Sequence, residues 1–186
     1  MNVLTRLRMD RSSFLAWVQG REGRFELAGR RVVMMTGGSR GHAIVMRRLA
    51  NALERRLDAV QWTVLTSDFA VDVGPDTIRY PDVVVDAAGG PLNDLTATAP
   101  VLIAEVVSPS SATEDLGDKA AEYLRLPSLA AYLVLAQDEP KAWIWLRGSL
   151  GFSPGPSVLA GRDETIRIPA LAAEVPLSEI YRDIGG

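Results

Sequence analysis

Two short apolar runs that carry acidic residues constrain this chain more than any other feature. Pro81-Asp82 leads into Val83-Val84-Val85, and after one loop Val101-Leu102-Ile103-Ala104-Glu105-Val106-Val107 follows. Short runs of β-branched and aliphatic residues read as strands buried on both faces. A carboxylate in such a strand is costly to desolvate unless something pairs with it. Two of them on adjacent strands repel each other. A shared divalent cation is the simplest relief, and carboxylate oxygens suit Mg²⁺ or Mn²⁺.

Composition narrows the reading. A chain of 186 residues, 47% hydrophobic, can bury one good core. We expect a single domain over residues 1–186, with a core at about 23–147 and a β-rich tail at about 148–186. Cysteine is absent, which excludes disulfides and thiolate metal sites. The single histidine, His42, cannot make a His-based metal cluster. No apolar run is long enough to span a bilayer and the first residues have no signal-like apolar stretch, so a cytoplasmic protein without membrane contact is expected.

The net charge of -3 hides an asymmetry. Residues 1–60 hold 12 arginines against 5 acidic residues, and the remainder holds 8 basic against 18 acidic ones. The basic third could face phosphates or be ordinary solvated helix surface. The acidic remainder argues against tight, general nucleic-acid affinity. Of the 20 basic residues only Lys119 and Lys141 are lysines. A lysine kept in so arginine-biased a chain hints at a place that wants a compact ammonium rather than a planar fork.

Along the chain, Asp10 can cap a helix from Arg11 to Val18. Phe25 to Met35 reads as a hairpin turning at Ala28-Gly29. Alternation sets Glu26 on the face opposite Phe25 and Leu27, which could be solvent. Thr36 to Gly41 is a loop that lacks the Gly-Lys-Ser/Thr ending of a phosphate loop. A helix follows to about Asp58, with Val45, Leu49, Leu53 and Leu57 as its apolar row. Arg40, Arg47 and Arg48 near its start are candidate phosphate contacts. Gln61 to Val73 is two strands or one bent strand. Ser111-Ala112-Thr113-Glu114 has capping-box spacing, and opens a helix to about Leu126. Asp115, Lys119 and Tyr123 share one face of it. Ala131–Ala136 and Lys141–Arg147 are further strands. The order predicts an α/β fold with a mixed sheet flanked by helices.

Asp82, Glu105 and Lys119 together meet the needs of phosphodiester hydrolysis. A divalent ion polarises a phosphoryl oxygen and acidifies bound water, and a nearby ammonium stabilises developing charge. Blander roles stand beside these. Asp82 could cap a turn, Glu105 could be structural, and Lys119 could pair only with Asp115 four residues before it. His42 reads as a hydrogen-bonded structural residue as readily as a catalyst. Ser108 and Ser110 have no evident base and fit loop or capping geometry.

The surrounding phrases carry a resemblance. Arg24-Phe25-Glu26-Leu27-Ala28-Gly29-Arg30-Arg31-Val32-Val33-Met34-Met35, then Ser39 and His42, then Pro81-Asp82-Val83-Val84-Val85, then Glu105-Val106-Val107-Ser108-Pro109-Ser110-Ser111, then Asp115, Lys119 and Tyr123, are together similar to the Uma2 family (DUF820). The family's restriction-endonuclease-like proteins fall within the PD-(D/E)xK nuclease superfamily. The resemblance covers roughly residues 10 to 147. It implies a restriction-endonuclease-like core and an endonuclease that uses Mg²⁺ or Mn²⁺ on nucleic acid, DNA by expectation. It implies Asp82 and Glu105 as metal ligands, with Glu26 as an additional acid beside the ion. The lysine two residues after the glutamate in the general motif is Val107 here, and the resemblance places it on the next helix, at Lys119. A homodimer is left open. So are two alternatives: a catalytically degenerate nuclease fold acting as a binding or assembly module, and a hydrolase of small phosphoesters.

Overall fold

A computed structural model gives the architecture and describes residues 7–97, 99–108 and 115–185. Helix α1 (Arg11–Val18) starts where expected, with the Asp10 carboxylate accepting from Ser13 N, and it buries Phe14. Strands β1 (Phe25–Ala28) and β2 (Arg31–Met34) form an antiparallel hairpin. Its turn is Gly29-Arg30, one residue beyond the expected position. Both turn residues have positive φ, 53° and 69°, as a type I′ turn requires, so Arg30 adopts a conformation that favours glycine.

Helix α2 (Arg40–Glu54) is capped by Ser39 and buries Val45, Leu49 and Leu53 of the predicted row, whereas Leu57 lies past its end and is half-buried. It ends a turn earlier than expected because Arg56 N and Leu57 N both bond the Leu53 carbonyl. Gln61–Val73 resolves into two strands, β3 (Trp62–Thr66) and β4 (Ala70–Gly74). Strands β5 (Thr77–Arg79), β6 (Val83–Ala87), β7 (Thr96–Ala97) and β8 (Leu102–Val107) follow. Helix α3 (Asp118–Tyr123) leads to β9 (Ala131–Ala136) and β10 (Lys141–Gly148). The predicted capping box, Ser111 to Glu114, lies outside the described residues, as does Ser110. The tail holds β11 (Gly151–Phe152), β12 (Ser157–Ala160), β13 (Thr165–Ile168), β14 (Ala173–Pro176) and α4 (Leu177–Ile180).

The main sheet runs β11-β10-β9-β8-β6-β3, with β12 also pairing β10. It is mixed: β8 and β9 are parallel, and the other pairs are antiparallel. A parallel pair needs a crossover, and the crossover carries α3. A second sheet runs β2-β1-β5-β4-β7. Alternation along β8 divides the core. Leu102, Ala104 and Val106 pack with Val45, Leu49 and Leu53 of α2. Ile103 and Val107 pack with Tyr123 of α3 and with Tyr132 and Val134 of β9. The tail covers the α2 side: β13, β14 and α4 share that core, and the Tyr181 hydroxyl donates to the Ala136 carbonyl at 2.7 Å. Among the described residues no helix is long and apolar enough to cross a membrane.

Candidate active site

The register of β6 against β8 brings the two strand carboxylates together. Val83 stands opposite Ala104 and Val84 opposite Ile103. One further step sets Asp82 opposite Glu105, on the α3 face of the sheet. Both residues are buried, at 8% and 4% exposure. Asp82 Oδ2 accepts from Val106 N at 2.8 Å and lies 3.0 Å from His42 Nε2. A carboxylate only accepts, so that imidazole nitrogen carries the proton. The pairing holds the His42 ring above its ordinary pKa, the hydrogen bond to Asp82 outweighing burial.

Helix α3 does bring its ammonium to this pair. Lys119 Nζ sits 3.0 Å from Glu105 Oε1 and 3.0 Å from Asp115 Oδ1. The Tyr123 hydroxyl, one turn further on, donates to the same Glu105 oxygen at 3.0 Å. Burial, joined by the nearby carboxylates of Asp82, Asp115 and Glu26, pushes Glu105 up to about 8 against the pull of Lys119. Burial works against the Lys119 charge, but Glu105, Glu26 and Asp115 outweigh it and hold the ammonium protonated. The Tyr123 hydroxyl is raised by burial and by Glu105, so it remains a donor. Four acidic groups, Glu26, Asp82, Glu105 and Asp115, and the Lys119 ammonium thus face a cleft of about 380 Å³ that also reaches Arg24, Ser39 and Gln137.

Glu26 lines the same cleft, and each of its oxygens accepts a hydrogen bond from the second sheet. Its face of β1 is not solvent: Glu26 is 4% exposed because Arg79, its cross-strand neighbour on β5, covers it. Arg79 Nη1 donates to Glu26 Oε2 at 3.0 Å, and Tyr80 N donates to Oε1 at 2.9 Å. The same guanidinium clamps Glu122 of α3 through Nε and Nη2, at 2.8 and 3.0 Å. The expected third ligand is therefore part of a buried bracket that fixes α3 against the second sheet. Lys119, Glu122 and Tyr123 lie within one helical turn, so this bracket also aims the groups that reach Glu105.

The three arginines expected at phosphates divide. Arg40 and Arg47 are exposed and line a groove between α2 and β3, away from the cleft. Arg48 is placed elsewhere: its Nη1 donates to the Ile180 carbonyl at 3.1 Å and also to the Arg182 carbonyl. It ties α2 to the C-terminal segment because its position on α2 faces α4, not the cleft. Two contributors escaped sequence reasoning, Arg79 and the His42–Asp82 contact, and the hydrogen bond from Tyr123 to Glu105 was not foreseen although its helix face was. For Asp115 and Tyr123 a signal existed, since they lie four residues either side of Lys119.

The donor set decides which ion fits. Among the described residues no group of three or more acidic or histidine side chains could hold a metal by itself. Mg²⁺ does not need one, as it is held by one or two carboxylates together with waters and substrate phosphates. Asp82 and Glu105 supply that pair. Among the described contacts, hydrogen bonds fall on Asp82 Oδ2 and Glu105 Oε1, leaving Oδ1 and Oε2 for a ligand. Mutual repulsion between neighbouring carboxylates is what a divalent cation relieves.

Comparison with known proteins bears on the family and the fold. A crystal structure of "a putative nuclease belonging to DUF820" from Anabaena variabilis superposes with a TM-score of 0.77, over 94% of this chain and 98% of that one. Its sequence identity is 12%, so the likeness is one of fold. Two uncharacterized proteins of Synechocystis sp. are related in sequence. The protein slr1290 is 27% identical over 131 residues, 69% of each chain. The protein sll1609 is 30% identical over 110 residues, 57% of this chain and 62% of the relative. The model of the Uma2 family, described as "Putative restriction endonuclease", matches residues 11–177. With the mixed α/β fold in common and nearly the whole sequence matched, this chain belongs to the Uma2 family.

Proposed function

We propose that this chain is a Mg²⁺- or Mn²⁺-dependent endonuclease that hydrolyses phosphodiester bonds of DNA. The observation that carries the reading is the convergence of Asp82, Glu105 and Lys119, from two strands and a helix, on one cleft. Family membership and fold support nuclease chemistry and a nucleic-acid substrate. Asp82 and Glu105 are the ligands to the ion. When bound, the ion supplies Lewis acidity toward a phosphoryl oxygen and acidifies water. Glu105 shares one oxygen with Lys119 and Tyr123, which fixes the direction of the other. Lys119 stays protonated and places positive charge where a phosphoryl group gains negative charge. Its ion pair with Asp115 holds the ammonium in one place. Glu26 acts through Arg79, as part of the support beneath α3, and not as a ligand.

The test is cleavage of supercoiled plasmid DNA with Mg²⁺, Mn²⁺ or EDTA, by wild type and by Asp82→Asn and Glu105→Gln. Metal-dependent nicking in wild type, lost in both variants, is expected. Equal nicking by variants and wild type, or none by wild type on single-stranded and double-stranded DNA and RNA, overturns the reading. Mn²⁺ binding without cleavage of any substrate would favour the binding-module alternative.

A further inference from the structure

We propose that His42 is the positioning residue for Asp82: it turns the carboxylate so that Oδ1 faces the cleft as a ligand. The inference rests on the metal reading above but reaches beyond it, to a side chain on a different element. Asp82 stands before the first paired residue of β6, where the ladder no longer fixes it. Which of its oxygens faces the cleft is then set by the donors that its carboxylate accepts from. Two donors hold it, and both reach the same oxygen, Oδ2: Val106 N at 2.8 Å and His42 Nε2 at 3.0 Å. A single donor leaves a carboxylate able to swivel, whereas two converging donors fix its plane.

The loop before α2 is shaped to seat this imidazole. Ser39 Oγ accepts from His42 N at 3.1 Å and donates to Gln137 Oε1 at 2.7 Å, so it pins the first turn of α2 to the end of β9. A side chain at Gly41 would place its Cβ 2.8 Å from the Gln137 carbonyl oxygen, closer than real contacts allow. A side chain at Gly38 would place its Cβ 2.6 Å from His42 Nδ1. Two glycines and a serine, spread over the loop and the first turn of α2, thus let the helix approach the sheet and leave room for the ring. A histidine serving only to fill core would not need a donor aimed at a half-satisfied acid on the cleft wall.

His42→Gln carries an amide nitrogen near the place of Nε2, whereas His42→Phe keeps the ring shape and removes the donor. Two measurements distinguish them. The first is hydrogen exchange of the Val106 amide in metal-free protein, read by NMR against the amides of β9. Faster Val106 exchange in His42→Phe, by at least about tenfold, with β9 unchanged and His42→Gln close to wild type, is expected. The second is calorimetric titration with Mn²⁺, where His42→Phe binds about tenfold more weakly and His42→Gln within about threefold of wild type. Unchanged Val106 exchange in His42→Phe, a parallel rise across β9, or equal behaviour of the two variants overturns the positioning role. Absence of Mn²⁺ binding to wild type overturns the metal reading instead, and the amide measurement still decides the role of His42.

Discussion

Replacing Arg79 with methionine isolates the bracket that connects the second sheet to α3. Arg79 is 3% exposed and holds two carboxylates. One is buried: among the described hydrogen bonds Glu26 keeps the Tyr80 N–H when the guanidinium is gone. Breaking a buried ion pair by removing one partner costs roughly 3–5 kcal/mol, because the other charge stays uncompensated. Coulomb's law gives the same scale, about 4 kcal/mol for unit charges about 4 Å apart at an effective dielectric near 20. The second carboxylate, Glu122, has a quarter of its side chain in water and can turn outward, so it adds about 1 kcal/mol at most. Arg79→Met is therefore expected to lower unfolding free energy by about 4 kcal/mol, measured by urea denaturation followed by circular dichroism. Glu26→Gln keeps an acceptor for Tyr80 N and removes the orphaned charge, so the double variant Glu26→Gln/Arg79→Met recovers about half of the loss. A single variant within about 1 kcal/mol of wild type, or a double variant no more stable than the single, refutes this account of the bracket.

Further outcomes follow from the site. Glu105 binds its proton more tightly in the folded state than in the unfolded chain, with a value near 8 against an ordinary 4.5. Its contribution to stability is thus fully present below about 4.5 and is lost as pH rises through about 8. Metal-free wild type should lose up to about 1.4 kcal/mol per pH unit across that window, and Glu105→Gln should flatten the slope in urea titrations at successive pH values. Lys119→Met should abolish cleavage while Mn²⁺ binds at least as tightly by calorimetry, since the removed cation competes with the metal for Glu105. Lys119→Arg should not restore activity. A fork that is larger and planar overfills a pocket built for one ammonium between two oxygens, at a cost of about 1–3 kcal/mol in stability. NMR titration of metal-free protein should place His42 above its ordinary value, and Asp82→Asn should bring it back. The stability that this pair contributes is present below about 6.5 and lost as pH rises through the folded value.

Local chemistry was legible in the chain where it acts within one element. Asp10 as a cap, the buried row of α2 and the burden of Glu105 in an apolar strand are all statements about neighbours in sequence. Lys119 could be singled out because arginine fills nearly every other basic position. What the sequence did not disclose depends on pairing between sheets. Alternation correctly set Glu26 opposite Phe25 and Leu27. Whether that face meets water depends on β5 lying beside β1, which no local pattern announces. Arg79 reads as an ordinary strand arginine until β1 and α3 close around it. The His42–Asp82 contact likewise joins a helix start to a strand start 40 residues away. Arg48 looked like a phosphate contact because its outward role depends on the tail folding back over α2.

The parallel pairing of β8 with β9 also bears on how the site assembles in time. β6 and β8 are antiparallel neighbours whose connection, which carries the two-residue β7, is shorter than the crossover to β9, so Asp82 and Glu105 can meet through a comparatively local closure. Lys119 arrives only when the longer crossover closes and β9 docks alongside β8. Closure entropy grows with loop length, and parallel pairing across a crossover is intrinsically slow. Any refolding route that forms β6–β8 first presents two facing carboxylates before their counter-cation is in place.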